Sequence, residues 1–312
     1  MRIVDATEVR RVLTIPLLVG AFEAAHRRPK MEAQDGFLGS ETEQYFVRHA
    51  VDRGRFMASK LITSFPPNLA QGKLPAVQAV CVLFDGTNGR PLAVIDGTEL
   101  TYWRTAADSA LGAKLLAPAN PETLLVVGAG EMSRRLARAH RAVRPSLRRV
   151  LIWNRTAERA VGVAASLSQE GIRAEAAPDL EAATRVADII TTCTRSHQPL
   201  ITGGNLRPGI HLDLVGGYTP QTREADDEAA RRSLIFVDRR ESTSGVGDIM
   251  QPIASGAIRE ADVLGDLYDL VGGAVTGRRS AADITLFKNG GGGHLDLMTA
   301  EVIFKQIGEI FP

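Results

Sequence analysis

The chain has 312 residues, 44% of them apolar, which is enough for two domains of roughly 150 residues with buried cores. Its 37 basic and 36 acidic side chains leave a formal net charge of +1, and only 5% of its residues are aromatic. The balanced charge argues against a nucleic-acid-binding protein, and the few aromatic residues argue against a stacking surface for single strands.

Two cysteines, Cys81 and Cys193, lie far apart, each within an apolar run. This spacing predicts two reduced, buried thiols, and because the six histidines lack zinc-type spacing we expect no metal site. The N-terminus is charged and lacks the apolar core of a signal peptide, and no apolar stretch approaches about 18 residues. We therefore expect a cytoplasmic protein that neither crosses nor binds a membrane.

The first 115 or so residues mix helical and strand-like patterns. Apolar spacing predicts a helix over 6–25 and strands over 56–65 and 76–85. A further helix is predicted to begin at Thr98, whose hydroxyl suits an N-cap.

Two prolines, Pro118 and Pro121, then mark a domain boundary, after which short β-branched runs alternate with helical patterns. Strands are predicted over 123–128, 148–154, 187–194, 210–217 and 234–238, and helices over 131–143 and 156–170. Such alternation is typical of parallel strands joined by helical crossovers. The predicted fold class is therefore α/β, with a doubly wound parallel sheet of the Rossmann type.

The first strand of this region runs into a glycine-rich turn that opens a helix. The turn reads Gly128-Ala129-Gly130-Glu131-Met132-Ser133. Gly128 allows a tight bend, and Gly130 lets the backbone approach a pyrophosphate that the helix N-terminus binds. Ser133 stands where this fingerprint has glycine or alanine, and it is small enough to keep helix and strand close. A turn without a ligand is the alternative, but the strand–turn–helix context favours a dinucleotide site.

The end of the next strand indicates which dinucleotide binds. An NAD site usually has a carboxylate there that accepts hydrogen bonds from the ribose. This chain has Asn154-Arg155-Thr156 instead, with Arg159 one turn later. Because Arg155 could clamp a 2′-phosphate with parallel N–H donors, we expect NADP(H) to be preferred, with NAD(H) as the alternative cofactor. An ordinary solvated arginine is the other interpretation.

Six motifs follow one another along the chain: KLITSFPPN (60–68), LTYWRTAA (100–107), VVGAG (126–130), WNRT (153–156), GGYTPQTREAD (216–226) and DITLFK (283–288). In this order and spacing they resemble the ornithine cyclodeaminase and mu-crystallin family, although the first fifty residues match poorly. The resemblance implies a Rossmann NAD(P)-binding domain over 116–287. It also implies a smaller α+β domain, built from 1–115 with 288–312, that binds a small carboxylated amino or imino acid and forms a homodimer. The active site would lie in the cleft.

The resemblance also implies roles for individual residues. Lys60 matches the family lysine that faces the substrate carboxylate and the reacting carbon. Arg104, followed by Thr105, matches an arginine where cofactor and substrate meet. A further carboxylate-binding cation near the N-terminus would correspond to Arg28 or Lys30, because the chain is basic in that region. Without the family, Lys60 and Arg104 could equally be long side chains that reach out to solvent.

Ligands of doubly wound sheets bind at the carboxyl ends of the strands. The nicotinamide side of the cofactor is therefore expected to meet Cys193 and Thr194 after one strand, and Val215 and Gly216 after another.

The segment after the last motif contains a run of glycines, which would let the backbone pass close to the nicotinamide. Lys288 and Gly291 are therefore expected at the cofactor, with a hinge as the alternative role of the glycines. His294 and Asp296, just beyond, are expected at the rim of the substrate pocket, with a structural role as the alternative for the histidine.

One position departs from the cyclodeaminase pattern. In ornithine cyclodeaminases an aspartate two residues before the loop proline moves the proton, and here that position is Tyr218. A tyrosine is a poor base near neutral pH but can donate a proton, which suits hydride addition to a C=N bond. The alternative is that Tyr218 is only a wall of the pocket.

Three functions stay open. The preferred one is an NAD(P)H-dependent reductase that converts a cyclic ketimine such as pyrroline-2-carboxylate to an L-imino acid such as proline. The second is an ornithine cyclodeaminase or an enzyme like alanine dehydrogenase. The third is a protein that binds NADPH and a small ligand in the manner of mu-crystallin. Tyr218 favours the first over the second, whereas Lys60 and Arg104 do not separate the first from the third.

Overall fold

The computed structural model describes residues 1–40, 43–68, 72 and 74–310. The chain divides into two compact units, which we call the first unit (Met1–Thr105 with Gly292–Pro312) and the second unit (Ala106–Gly291).

The described N-terminal residues form one sheet and three helices, the third of which runs on into the second unit. In chain order these are β1 (Arg2–Val4), α1 (Ala6–Val12), α2 (Ile15–His26), β2 (Glu32–Gly39), β3 (Gln44–Asp52), β4 (Phe56–Ser64), β5 (Val77–Asp85), β6 (Pro91–Asp96) and α3 (Gly97–Leu116). The strand order is β1-β6-β5-β4-β3-β2. Only β1 and β6 pair in parallel among these described strands, and the other neighbours are antiparallel.

Two helix starts differ from the sequence-based expectation. The helix predicted over 6–25 is interrupted, because the Thr14 side chain accepts a hydrogen bond from Leu17 N and begins a new helix there. Thr98 lies inside α3, and Asp96 accepts the N–H of Glu99 in the first turn at 2.7 Å. The Thr98 hydroxyl instead accepts the Ala79 N–H of the neighbouring strand, so tertiary contacts outweigh its capping preference.

The second unit alternates strands and helices. In chain order it contains β7 (Thr123–Val127), α4 (Glu131–Val143), β8 (Arg149–Trp153), α5 (Ala157–Gln169), β9 (Ala174–Ala176), α6 (Leu180–Val186), β10 (Ile189–Thr192), β11 (His211–Leu214), α7 (Asp227–Arg231), β12 (Ser233–Val237), α8 (Arg240–Thr243), α9 (Gly247–Ala254), β13 (Val263–Asp266), α10 (Leu267–Gly272) and β14 (Ile284–Lys288). The helix α11 (Gly293–Ile310) then returns to the first unit.

The sheet of the second unit has the order β13-β12-β14-β11-β10-β7-β8-β9, with every described neighbour parallel. Alternate strand residues bury opposite faces: Leu125 and Val127 join one apolar cluster, whereas Leu124 and Val126 join the other. From β7 the chain adds β8 and β9 on one side and then crosses over to add β10 on the other side of β7, which makes this the switch point where such folds bind ligands. The predicted doubly wound parallel sheet is confirmed.

The first unit ends at Thr105 and resumes at Gly292. The sequence predicts these boundaries after residues 115 and 287. Both differences have a packing reason. Ala113, in the last turns of α3, belongs to an apolar cluster of the second unit, and β14 carries the sheet on to Lys288. Among the described residues, no helix is both long and apolar enough to span a bilayer. The expected cytoplasmic location stays a prediction.

Candidate active site

Lys60 lies on the buried face of β4, and its side chain is only 1% exposed. Alternation along the strand puts it on the same face as Ala58 and Ile62. Its Nζ donates to Asp296 Oδ1 at 2.6 Å and to Thr101 Oγ1 at 3.0 Å. The lysine is therefore an interior cation with defined partners, and the alternative of a side chain reaching to solvent is wrong.

Two arginines bring further positive charge close to Lys60. Arg104 on α3 is 7% exposed, and its Nε lies 3.2 Å from the same oxygen of Asp296 that Lys60 binds. Arg48 on β3 is the cross-strand partner of Lys60, and its charge acts on both Lys60 and Asp296. Three cations therefore surround one buried carboxylate. Arg48 also pairs with Asp35 at 3.3 Å, and the one positive charge left in excess suits an anionic ligand.

Burial and neighbouring charges set the protonation of this cluster. The pKa of Lys60 is lowered to about 8, chiefly by burial and also by the charges of Arg104 and Arg48, while Asp296 opposes them. Burial disfavours the charged form of Asp296, but Lys60, Arg104 and Arg48 outweigh it and hold its pKa below the ordinary value. Lys60 can thus exchange a proton close to neutral pH while the aspartate stays ionised.

The N-terminal cation opposite Lys60 is neither of the two expected from the resemblance. Arg28 binds Asp52 at 3.0 Å, and Lys30 lies exposed after α2, whereas Arg48 is the arginine placed opposite Lys60. Arg48 interrupts an apolar strand run just as Lys60 does, and that signal could have identified it.

The predicted pocket-rim residues are interior. His294 and Asp296 are buried in the first turns of α11, and the His294 ring meets the ring of His26 edge-on, with centroids 6.1 Å apart. The placement at a rim is therefore wrong, since α11 presents this face to the core of the first unit. Thr105, expected at the cofactor, is also buried, next to Arg104 in α3.

The glycine turn of the second unit has the geometry expected for a pyrophosphate. Gly128 has φ +117°, and a Cβ there would lie 3.0 Å from Cys193 O. Gly130 is exposed and precedes α4, with open space where its Cβ would be. No described side chain caps the first turn of α4, and Ser133 is buried beneath it, with its hydroxyl donating to Gly130 O. These residues fit an anion held on backbone N–H groups.

The other turn residues flank this position: Ala129 and Met132 are half-buried and Glu131 is exposed. At the end of β8, Asn154 Nδ2 donates to Thr156 O at 2.9 Å and so shapes the approach to α5. Arg155 and Arg159 are exposed at this end of the sheet.

The expected residues at the ends of β10 and β11 come together. The Cys193 N–H donates to Val127 O, and the Val215 N–H donates to Thr192 O, so both continue the sheet's hydrogen bonds. The next residues, Thr194 and Gly216, both donate backbone N–H groups to the carboxylate of Glu224, which the sequence did not single out. Burial raises the pKa of the Cys193 thiol, which therefore stays protonated at neutral pH.

Lys288 does not lie where it was expected. Its side chain is fully buried, and Nζ donates to Asp248 Oδ2 at 3.0 Å. This buried ion pair keeps the side chain within the packed unit, and the cofactor role predicted for it is not supported. Gly291 has φ +68°, a left-handed conformation that favours glycine.

Tyr218 is half exposed, and its backbone N–H donates to Gly216 O at 3.0 Å. This places the phenol on the loop that follows β11. Its proton role stays a prediction.

Comparison with known proteins adds a second line of observation. Residues 8–309 match the sequence profile of the Ornithine cyclodeaminase/mu-crystallin family. A Delta(1)-pyrroline-2-carboxylate reductase of Paracoccus denitrificans is 45% identical over 288 residues, which cover 91% of this chain and 90% of that protein.

Two solved structures are similar over nearly the whole chain. The Thermococcus litoralis Delta(1)-pyrroline-2-carboxylate reductase in complex with NADH and L-proline is 27% identical, with a TM-score of 0.94 and coverage of 99% of this chain and 98% of that one. An archaeal alanine dehydrogenase dimer with bound NAD is 26% identical, with a TM-score of 0.92 and coverage of 99% and 97%. The family resemblance read from the six motifs is confirmed: the chain belongs to the ornithine cyclodeaminase/mu-crystallin family.

Proposed function

We propose that this protein is an NAD(P)H-dependent reductase of a cyclic ketimine that carries a carboxylate, with pyrroline-2-carboxylate as the substrate and L-proline as the product. The observation that carries the proposal is the cluster of Lys60, Arg104 and Arg48 around Asp296, in a chain that also has the Gly128–Gly130 turn. The names of the relatives agree with this substrate class.

The cationic cluster would bind the substrate carboxylate. Its excess positive charge is largely desolvated, since Lys60 and Arg104 are buried, so an incoming carboxylate gains charge-assisted hydrogen bonds in a site with little competing water. Asp296 fixes Lys60 Nζ and Arg104 Nε on one oxygen and so limits the orientations open to the substrate.

Lys60 would also serve as the acid. A protonated imine accepts hydride better than a neutral one, and a lysine with a pKa of about 8 can transfer a proton near neutral pH. The carboxylate of the bound substrate would raise the pKa of Lys60 and keep it an ammonium until transfer. Tyr218 or a bound water is the other candidate donor.

The second unit would hold the cofactor. The Gly128–Gly130 turn and the first turn of α4 would bind the pyrophosphate, and the backbone at Thr194 and Gly216 would line its nicotinamide end. When bound, NAD(P)H supplies the hydride that adds to the imine carbon. We further propose a preference for NADPH, supported by the exposed Arg155 and Arg159 and by Asn154 in place of a ribose-binding carboxylate.

We also propose a homodimer formed through the first unit. The edge strand β2 is exposed along its length, and its Phe37 and Leu38 are exposed apolar side chains that a second copy would cover. The similar alanine dehydrogenase is described as a dimer. Light scattering should give twice the chain mass, and a monomer at micromolar concentration would refute this part.

A spectrophotometric assay tests the proposed activity. NADPH oxidation is followed with pyrroline-2-carboxylate and, in parallel, with pyruvate plus ammonia, while ammonia release is followed with ornithine plus NAD. Turnover with the cyclic imine at the highest kcat/KM supports the proposal. Preferred turnover of pyruvate, or ammonia released from ornithine, would assign the alanine dehydrogenase or cyclodeaminase reaction instead. Tight NADPH binding without turnover of any imine would indicate a binding protein.

A further inference from the structure

Glu224 is a fully buried carboxylate between the carboxyl ends of β10 and β11. Four donors from the two chain segments converge on it: Thr192 Oγ1, Thr194 N and Thr194 Oγ1, each at 2.7 Å, and Gly216 N at 2.6 Å. One side chain therefore joins the backbone after β10 to the backbone after β11. It also closes the loop that carries Tyr218, since Gly216 and Glu224 are the two ends of that loop.

The loop packs so tightly here that no side chain fits at two of its positions. A Cβ on Gly216 would overlap Thr194 O and would lie 2.6 Å from Glu224 Oε1. A Cβ on Gly217 would overlap the carboxylate of Asp248. The two glycines of the GGYTP segment are thus required by the Thr194 backbone and by the buried acids Glu224 and Asp248.

Asp248 and Lys288 hold Glu224 in turn. Asp248 Oδ1 accepts the Glu224 N–H at 2.7 Å, and its Oδ2 accepts Lys288 Nζ at 3.0 Å. Burial raises the pKa of Glu224, Asp248 raises it further, and Lys288 together with the threonine hydroxyls opposes them. Lys288, which the sequence analysis placed at the cofactor, is therefore the counter-ion of the buried acids Glu224 and Asp248.

A buried cluster of two acids and one lysine is a poor way to gain stability, because desolvation of the charges is costly. Such a cluster can instead select one conformation, and here the conformation selected is that of the two strand ends beside the switch point. We propose that Glu224, supported by Asp248 and Lys288, is a positioning residue for the nicotinamide end of the cofactor, acting through the backbone of Thr194 and Gly216. This inference rests on the proposed cofactor site.

The test compares two ligands on one variant. Glu224→Gln keeps the shape of the side chain but, whichever way its amide is turned, places the NH₂ group against one of the two backbone N–H donors, so the loops should separate. Calorimetric Kd values are measured for NADH and for ADP, which keeps the adenosine and the pyrophosphate but lacks the nicotinamide and its ribose. We expect the Kd of NADH to rise about tenfold or more, on the scale of a charged hydrogen bond, and the Kd of ADP to stay within about twofold.

Asp188→Asn is the matched control. Asp188 also accepts two backbone N–H groups, from Glu122 and Thr123 at 2.7 and 2.8 Å, but at the amino end of β7. This variant should bind both ligands as the wild type does. If Glu224→Gln does not fold, Thr192→Val removes a single buried donor to the same carboxylate and should raise the Kd of NADH by about three- to tenfold, again without a change for ADP.

Equal weakening of NADH and ADP, or no change in either, would overturn the inference, because the cluster would then be structural only. A wild-type protein that binds neither ligand would refute the proposed cofactor site itself.

Discussion

The protonation of Lys60 gives the sharpest prediction, because anion binding should follow it directly. The pKa of this lysine is about 8, lowered from 10.5 chiefly by burial. Below that pH the ammonium attracts a carboxylate, and above it the neutral amine does not. Affinity for an anionic ligand should therefore be constant below the pKa and fall as the pH rises through it.

The size of the fall can be bounded. The ammonium fraction decreases tenfold for each pH unit above the pKa, so Kd should at first rise tenfold per unit. A hydrogen bond to a charged group contributes about 1.5–3 kcal/mol, which corresponds to about 10- to 150-fold in Kd. The curve should therefore level off one to two pH units above the pKa, at the affinity of a protein without the ammonium.

Pyrrole-2-carboxylate is a suitable probe, since it is a planar cyclic carboxylate whose ring nitrogen does not titrate in this range. Its Kd is measured by calorimetry from two units below to two units above the pKa, for the wild type and for Lys60→Gln. The variant should bind weakly at every pH, at the level where the wild-type curve flattens. Lys305→Gln, which removes an exposed lysine paired with Glu301 on α11, should leave the curve unchanged. A wild-type Kd that does not depend on pH, or a variant with the wild-type slope, would refute this reasoning.

Three further substitutions test other parts of the structure. Arg155→Glu should weaken NADPH binding by about 100-fold, the scale of a lost charge-assisted pair, and NADH binding much less; equal losses in titrations with both would contradict the proposed 2′-phosphate contact. Gly128→Ala should lower the free energy of unfolding, measured in urea, by about 1–3 kcal/mol because Gly128 has a positive φ. Gly130→Ala should change that free energy by no more than about 0.5 kcal/mol, yet the variant should bind coenzyme more weakly. Asp296→Asn removes the acid that keeps Lys60 protonated, so the pH optimum of kcat/KM should move to lower pH, while Glu301→Gln on the same helix should not shift it.

Local patterns were enough to predict the second unit. The turn at Gly128 and the helix after it depend on neighbouring residues, and α4 has the predicted bounds, 131–143. Parallel strands with helical crossovers admit few arrangements, so the alternation of β-branched runs and helices led to the correct sheet. Lys60 was identified through the family resemblance of its motif, since on sequence alone it could equally have been a side chain that reaches to solvent.

Partners that depend on strand register or on distant segments could not be predicted in this way. Arg48 lies opposite Lys60 because β3 pairs with β4, and the register of two paired strands cannot be predicted from the sequence of either strand alone. Asp296 lies 236 residues from Lys60 in the sequence. Lys288 and Glu224 look like ordinary polar residues until the fold buries them together.

The return of α11 to the first unit has a consequence for the order in which the protein forms during translation. The second unit is a continuous segment of 186 residues, Ala106–Gly291, and can complete its sheet as soon as it leaves the ribosome. The first unit must wait for that whole segment, roughly 10–40 s at 5–20 residues per second, before Asp296 emerges to meet Lys60. Lys60 therefore lacks its carboxylate partner until the second unit has been synthesised, and the cluster around Asp296 can form only after that.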